Sequence, residues 1–258
     1  MNILITGKSG FLARELSHFF RDHNVFCKGR NEIDLLNRDA VEEVLRERHY
    51  DIVIHTALVG DYKTLQMEEA MDNYLMFTNL VRNRHLFGQM FTFGSGAEKY
   101  EGDYSSWYSK HKQAVTRWIE DNQTNVTNLR LFGCFGMYEN LSRFVSSCVY
   151  KKSLTITNKT FDFIYAQDVG RIIENYKPHW PVVIDCVYPA KVDLYTIASK
   201  VYEILGKDTT IRVEFPDEGC YYTGDATALY NTGVELVGLD KGLQETVNGL
   251  ESRNTFFS

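Results

Sequence analysis

Short runs of consecutive apolar residues punctuate the first half of the chain: Ile3-Leu4-Ile5, Val25-Phe26-Cys27, Ile52-Val53-Ile54, Met90-Phe91-Thr92-Phe93 and the stretch 126–132. Between them apolar residues recur at helical spacing. Leu12, Leu16 and Phe19-Phe20 form one set, and Val41, Val44 and Leu45 another. Longer helices are predicted over about 65–84 and 108–119. A strand that is apolar on both faces must be covered on both faces. Such strands alternating with amphipathic helices predict an α/β fold, a doubly wound parallel sheet with helices on each side.

After about Gly136 the rhythm weakens, and all four prolines (Pro178, Pro181, Pro189 and Pro216) fall in this part. Residues 163–173 read as a return to the sheet domain, whereas 182–185, 194–205 and 210–214 read as a smaller α/β lobe. The expected division is therefore 1–136 plus about 160–178 for the sheet domain. A smaller C-terminal lobe takes about 137–159 and 179–258. There is no internal repeat and no low-complexity linker.

A net charge of −6 and a pI near 5.7 leave no basic footprint for nucleic acid or an anionic membrane, so neither partner is expected. No apolar run reaches the ~20 residues that a membrane span needs. The opening residues lack the basic region of a signal peptide, which makes a cytoplasmic location the expectation. Cys27, Cys134, Cys148, Cys186 and Cys220 form no CxxC pair. Free thiols are expected, with neither a metal site nor a disulfide framework.

Gly7-Lys-Ser-Gly10-Phe-Leu-Ala13 joins the first strand to the first helix. Gly7 permits a tight turn, Gly10 lets backbone approach a pyrophosphate at the helix N-terminus, and a small residue at 13 lets helix and strand pack closely. An ordinary strand-to-helix turn also uses glycine; the position at the very first strand favours the phosphate reading. Where an acidic residue would hold the ribose 2′-hydroxyl of NAD, the next strand ends in Cys27-Lys28-Gly29-Arg30. Cations there suit a 2′-phosphate, so NADP(H) is preferred. Glu32 close by keeps NAD(H) open.

Tyr108 and Lys112 are spaced i, i+4 and share a helix face. A phenol titrates near 10 and works poorly as an acid at neutral pH. An ammonium ~4 Å away is worth up to ~4 kcal/mol at an effective dielectric near 20, enough to bring it down by about three pH units. A lone Tyr-x-x-x-Lys means little in a tyrosine-rich chain. This one follows the strand ending at Phe93, where loops at the carboxyl ends of strands build sites. In that loop, Phe93-Gly94-Ser95-Gly96-Ala97-Glu98-Lys99-Tyr100, Ser95 is the only hydroxyl before Tyr100.

Taken in order, several elements resemble a known family. They are Gly7/Gly10/Ala13, Asp34-Leu35, His55-Thr56-Ala57, Asn73, the Gly94-Ser95-Gly96 loop, Tyr108-Ser-Lys-His-Lys112, Leu129-Arg-Leu-Phe-Gly133 and Phe161-Asp-Phe-Ile-Tyr-Ala-Gln-Asp168. The set is similar to the extended short-chain dehydrogenases of the NAD-dependent epimerase/dehydratase group. Its short second loop resembles the nucleotide-sugar 4-keto reductases, the class that includes GDP-fucose synthase and dTDP-4-dehydrorhamnose reductase. The resemblance implies a Rossmann fold, a nicotinamide cofactor, and a nucleoside-diphosphate sugar held by the C-terminal lobe. It implies cofactor contacts from Gly7, Ser9, Gly10, Phe11, Leu12, Lys28, Arg30, Asp34, Leu35, Thr56, Ala57, Asn73 and Lys112. Tyr108 would be the acid/base, with Lys112 holding the nicotinamide ribose. Substrate contacts would come from Ser95, Tyr108, Asn140 and Arg143. A homodimer joined through the long helix and the Tyr108 helix is also implied.

The departures carry information. The family's catalytic Ser/Thr position falls on Gly96, one residue after Ser95. The dehydratase Asp-Glu pair is replaced by Ala97 and Glu98, leaving Glu98 as a candidate base. No histidine stands near Tyr138-Glu-Asn-Leu141 for double epimerisation. The arginine that often precedes the Asp-Phe pair is absent, so some other cation must balance the diphosphate; Arg143, Lys151 and Lys152 are candidates, and a solvated face is the other reading of each lysine. His55 is expected to pack near the cofactor and His111 to face outward. Tyr221-Tyr-Thr-Gly-Asp225 borders either the nucleotide or a plain turn. The expected activity is an NADP(H)-dependent reduction of the 4-keto group of a nucleoside-diphosphate deoxyhexose. An NAD(P)-dependent nucleotide-sugar epimerase and a non-catalytic NADP(H)-binding sensor remain the alternatives.

Overall fold

The structure, a computed structural model, describes residues 1–99, 106–151, 153–208, 210–214 and 221–254. Tyr100, Lys152 and Cys220, named above, lie outside them. The first half runs β1 (Asn2–Thr6), α1 (Phe11–Phe19), β2 (Asn24–Lys28), α2 (Arg38–Arg46), β3 (Tyr50–His55), α3 (Met67–Arg82), β4 (Phe87–Ser95), α4 (Trp107–Asn122) and β5 (Val126–Leu131). Then come β6 (Gly133–Phe135), α5 (Phe144–Tyr150), β7 (Leu154–Ile156), β8 (Thr160–Phe161), β9 (Phe163–Tyr165), α6 (Ala166–Glu174) and β10 (Val183–Cys186). The chain closes with α7 (Leu194–Ile204), β11 (Ile211–Val213), β12 (Tyr221–Tyr222), α8 (Thr227–Tyr230) and α9 (Leu239–Asn254).

The expected parallel sheet is present. Six strands lie in the order β10-β5-β4-β3-β1-β2. Ile3 faces Val25 on one side and Ile52 on the other, and Ile52 faces Gln89 beyond. The order turns back at β1, so the carboxyl ends of β1 and β3 flank a topological switch point, where open α/β sheets bind ligands. Helix starts follow local chemistry. Asn37 caps α2 through its side chain, Gln66 and Glu69 form a capping box on α3, and Ser106 accepts the Ser109 N–H at the start of α4.

The chain forms two compact units, 1–130 with 176–184 and 131–175 with 185–258. The first is built on a core of Leu4, Val41, Leu45, Tyr50, Val53, Phe77, Leu80, Met90, Ile119 and Val126. Each such side chain contributes about 1.5–3 kcal/mol on burial. The second has its own core, with Phe135, Val145, Cys148, Tyr165, Ile197, Val201, Leu243 and Leu250.

These boundaries differ from those the sequence pattern suggests. Residues 160–175 belong to the second unit, because β9 pairs with β6 (Gly133 opposite Phe163) and places Phe163 and Tyr165 in that core. Residues 131–136 join it with β6. The 176–184 stretch goes the other way. Asn128 N–H donates to Val182 O at 2.7 Å, and Tyr176 packs edge-on to Phe91, so β10 is an edge strand of the main sheet rather than part of the smaller lobe.

Candidate functional site

Gly7 ends β1 with φ +81°. A Cβ there would stand 2.8 Å from Thr56 Oγ1 and 2.9 Å from the Ala57 backbone. Only glycine lets the ends of β1 and β3 come this close. The approach is fixed by Thr56 Oγ1, which donates to Thr6 O at 2.6 Å, and by a Thr6 Oγ1–His55 Nδ1 hydrogen bond of 2.9 Å. His55 is buried. Burial, then the Lys112 charge, depress its basicity to a pKa of about 3, so it is a neutral packing group. Gly10 is the N-cap of α1 and supplies no side chain, which leaves the first amides of the helix pointing out past the glycine turn.

Around this point lies a cavity of about 430 Å³. Of the predicted residues, Gly7, Ser9, Gly10, Lys28, Arg30, Asp34, Leu35, Thr56 and Ala57 line it, together with Lys8, Gly29, Leu58 and Val59. Phe11 and Leu12 open α1 and are not on its wall. Asn73 is also off the wall, and its geometry says why it matters. Its Oδ1 accepts the Val59 N–H at 2.8 Å and its Nδ2 donates to Val59 O at 2.9 Å. It holds the loop after β3 in shape and acts on the cavity through that loop. Lys28 Nζ stands 3.7 Å from Glu47, and the Arg30 side chain is exposed.

Tyr108 and Lys112 both stand on α4, as their spacing predicts. Lys112 Nζ donates to Phe93 O at 2.7 Å, at the carboxyl end of β4, and lies 5.8 Å from the Tyr108 ring centre. Burial brings the ammonium down to about 8, with Glu98 opposing the shift. Tyr108 is half-buried between Tyr62 (6.1 Å between rings) and His111 (5.5 Å). His111 does not face outward: it is buried edge-on to Tyr108. Burial and the Lys112 charge lower its pKa to about 3. The apolar groove between α3 and α4, which includes Met71, Tyr74 and Trp107, takes the imidazole in preference to water.

Ser95 is buried at the end of β4, where its Oγ accepts the Ala97 N–H at 3.2 Å. Glu98 is fully engaged. It accepts from Ser95 N at 2.7 Å, Thr116 Oγ1 at 2.6 Å and Arg130 Nε at 3.1 Å, while Asn128 Nδ2 donates to Thr116 Oγ1 at 2.7 Å. This network shapes the 94–99 turn and leaves the carboxylate little freedom to serve as a base. Sequence reading overlooked Thr116 and Asn128. Thr116 stands four residues past Lys112, on the same helix face, and that spacing was its signal.

Asn140 and Arg143 belong to the second unit. Asn140 Oδ1 accepts from Ser142 N and Oγ, closing a turn. Arg143 donates to Cys134 O at 2.8 Å and stands 3.7 Å from Glu139, so its charge is partly countered within the unit. In the 221–225 segment Tyr221 and Tyr222 form β12 against β8, and the chain beyond is anchored at Asp162, which accepts from Gly224 N at 2.8 Å and from Lys191 at 2.5 Å. Asp168 is buried and accepts from Tyr188, Val237 N and Gly238 N, a structural role. Among the described residues no group of three or more His, Cys, Asp or Glu side chains is placed to hold a metal. No described helix is long and apolar enough to cross a membrane.

The whole chain is similar to solved structures at low identity. A GDP-mannoheptose C4 reductase from Campylobacter jejuni with NADP bound is 17% identical, with 97% of this chain and 98% of that one covered and a TM-score of 0.77. A UDP-glucose 4-epimerase from Thermotoga maritima with UDP-glucose is 17% identical over 98% and 100%, TM-score 0.79. A GDP-L-fucose synthetase from Naegleria fowleri bound to NADP is 12% identical over 98% and 93%, TM-score 0.76. These likenesses carry the fold. No curated protein matches. The profile of the NAD dependent epimerase/dehydratase family matches residues 3–175, which hold the glycine turn, the Tyr108/Lys112 helix and Asp168. This chain belongs to that family.

Proposed function

We propose that the protein is an NADP(H)-dependent reductase acting on the 4-keto group of a nucleoside-diphosphate deoxyhexose. The observation that carries this reading is the pairing of Tyr108 with a Lys112 ammonium fixed to Phe93 O, in the same unit as the cavity at the switch point. The residues fit a nicotinamide dinucleotide. Gly7 lets the β1 turn close on Thr56 and Ala57 at the cavity wall, the α1 amides suit a pyrophosphate, and Lys8, Lys28 and Arg30 favour a 2′-phosphate. Thr56, Ala57 and the loop held by Asn73 would flank the rest, and Lys112 would reach the nicotinamide ribose.

When bound, the reduced nicotinamide supplies a hydride to the carbonyl carbon. Tyr108 donates its phenolic proton to the carbonyl oxygen as charge builds there, and solvent returns the proton afterwards. The Lys112 ammonium stabilises the negative charge left on the phenol oxygen. Neutral His55 and His111 add no competing charge. Ser95 is the candidate to orient the substrate oxygen. The second unit, with Asn140 and Arg143, would recognise the nucleotide sugar.

The apolar strip Met67, Met71 and Leu75 on α3 is exposed by 47%, 63% and 41% and adjoins Trp107 on α4. Its i, i+4, i+8 spacing supports a homodimer joined through these two helices. The decisive test offers NADPH and NADH with a panel of nucleotide-linked 4-keto sugars and with their 4-hydroxy counterparts. A reductase consumes NADPH mole for mole; turnover with only catalytic cofactor would mark a C4 epimerase. Binding without turnover on any panel member would leave a sensor.

A further inference from the structure

One rim of the cavity is already built to hold an anion, and the chain fills it with its own carboxylate. Glu32 Oε2 accepts the Gly29 N–H at 2.9 Å, and the Lys8 ammonium stands 2.9 and 3.1 Å from the two Glu32 oxygens. Lys8 and Gly29 line the cavity, while Glu32 approaches them from outside its wall. A backbone N–H and an ammonium converging on one point is how proteins hold phosphate oxygens. Lys28 adds to the same field, and these contacts together keep the Glu32 carboxyl below the usual carboxylate range. Gly29 immediately follows β2, the position at which dinucleotide folds read the adenosine ribose.

We propose that Glu32 sets the balance between NADP(H) and NAD(H), as a stand-in for the ribose 2′-phosphate. The phosphate claims the Gly29 N–H and the Lys8 ammonium, and the carboxylate leaves them as it binds. NAD(H) carries no such group and leaves the Lys8–Glu32 pair in place. Lys8, from the glycine turn, thereby joins Lys28 and Arg30 in recognising the phosphate. Glu32 acts as their competitor and not as a ligand of the 2′-hydroxyl. The proposal rests on the reading of the cavity as a nicotinamide dinucleotide site.

Calorimetry with NADPH, NADH, adenosine 2′,5′-bisphosphate and 5′-AMP tests it on the wild type, Glu32→Gln, Lys8→Met and the double variant. Glu32→Gln should tighten NADPH and the bisphosphate by about 1.5- to fivefold, the range set by one exposed ion pair, and leave NADH and 5′-AMP unchanged. Lys8→Met should weaken the bisphosphate, and Glu32→Gln should gain little in that background. Weaker NADH binding in Glu32→Gln would make Glu32 a hydroxyl ligand and overturn the proposal. So would equal shifts for both dinucleotides. If the wild type binds neither dinucleotide, the cofactor reading itself falls and this proposal with it.

Discussion

Replacing Glu98 tests whether this carboxylate builds the site or works in it. Its side chain is 3% exposed and meets the Arg130 guanidinium, itself 13% exposed, at 3.1 Å. It also accepts from Ser95 N and Thr116 Oγ1. Glu98→Ala removes all three contacts and takes this carboxylate from the guanidinium where little water reaches. Breaking a buried pair from one side costs about 3–5 kcal/mol, and the two orphaned donors push toward the upper end. Glu98→Gln keeps the shape, but its single amide oxygen can accept from only one side of the network and its NH2 faces a donor on the other, for about 1–3 kcal/mol. Urea unfolding of both variants, of Arg130→Met and of Glu98→Ala/Arg130→Met would measure this. The double variant should be more stable than Glu98→Ala, because it removes the half of the ion pair that Glu98→Ala leaves behind. Glu98→Gln should retain turnover to within about tenfold. An unchanged urea midpoint with a ~10³-fold loss of turnover would refute the reasoning and make the carboxylate a chemical participant.

Tyr108→Phe should bind cofactor normally and lose about 10²–10⁴ in kcat, and unchanged turnover would remove the phenol from the chemistry. Activity should fall as pH rises through about 8, where Lys112 loses its proton, and Lys112→Arg should shift that limb upward. Stability should respond with the opposite sign. Lys112 is depressed from 10.5 to about 8 in the fold, so the unfolded chain binds more protons between those values and this group's contribution improves as pH rises across that window. Potentiometric titration and unfolding at pH 7.5 to 10 separate the two effects. Gly7→Ala should lose at least about 1–3 kcal/mol and most dinucleotide affinity, from the left-handed φ and the Ala57 contact together. Asn73→Asp should raise the dinucleotide Kd without touching the ligand, since a carboxylate cannot donate to Val59 O; unchanged binding would show that the loop holds itself.

The sheet was legible because its strands are buried on both faces, which leaves an unbroken apolar signal in Ile3-Leu4-Ile5 and Ile52-Val53-Ile54. The switch-point glycine was legible because its strained φ permits few other residues. What was not legible depends on three-dimensional closure. Nothing local marks β10 as an edge of the main sheet, since that follows from the hydrogen bond of Asn128 to Val182 some fifty residues away. His111 looked solvent-facing because it lies between Tyr108 and Lys112; a groove lined by residues of α3 decides otherwise. Glu98 and Asn73 could be picked out as polar residues in suggestive places. Their partners Arg130, Thr116 and Val59, which define what they do, could not.

Both compact units are assembled from pieces that are distant in the chain. The outermost strand of the six-stranded sheet arrives only after residue 183, and the second core waits for Leu243, Val247 and Leu250. On the ribosome, every residue lining the cavity is therefore made while the edge strand beside β5 is still missing. The later core cannot close until nearly the entire polypeptide has emerged. Such long sequence separations slow closure and prolong the exposure of half-made apolar surface. Early ligand capture by the first-formed portion would shorten that vulnerable interval by holding the nascent sheet in its native register.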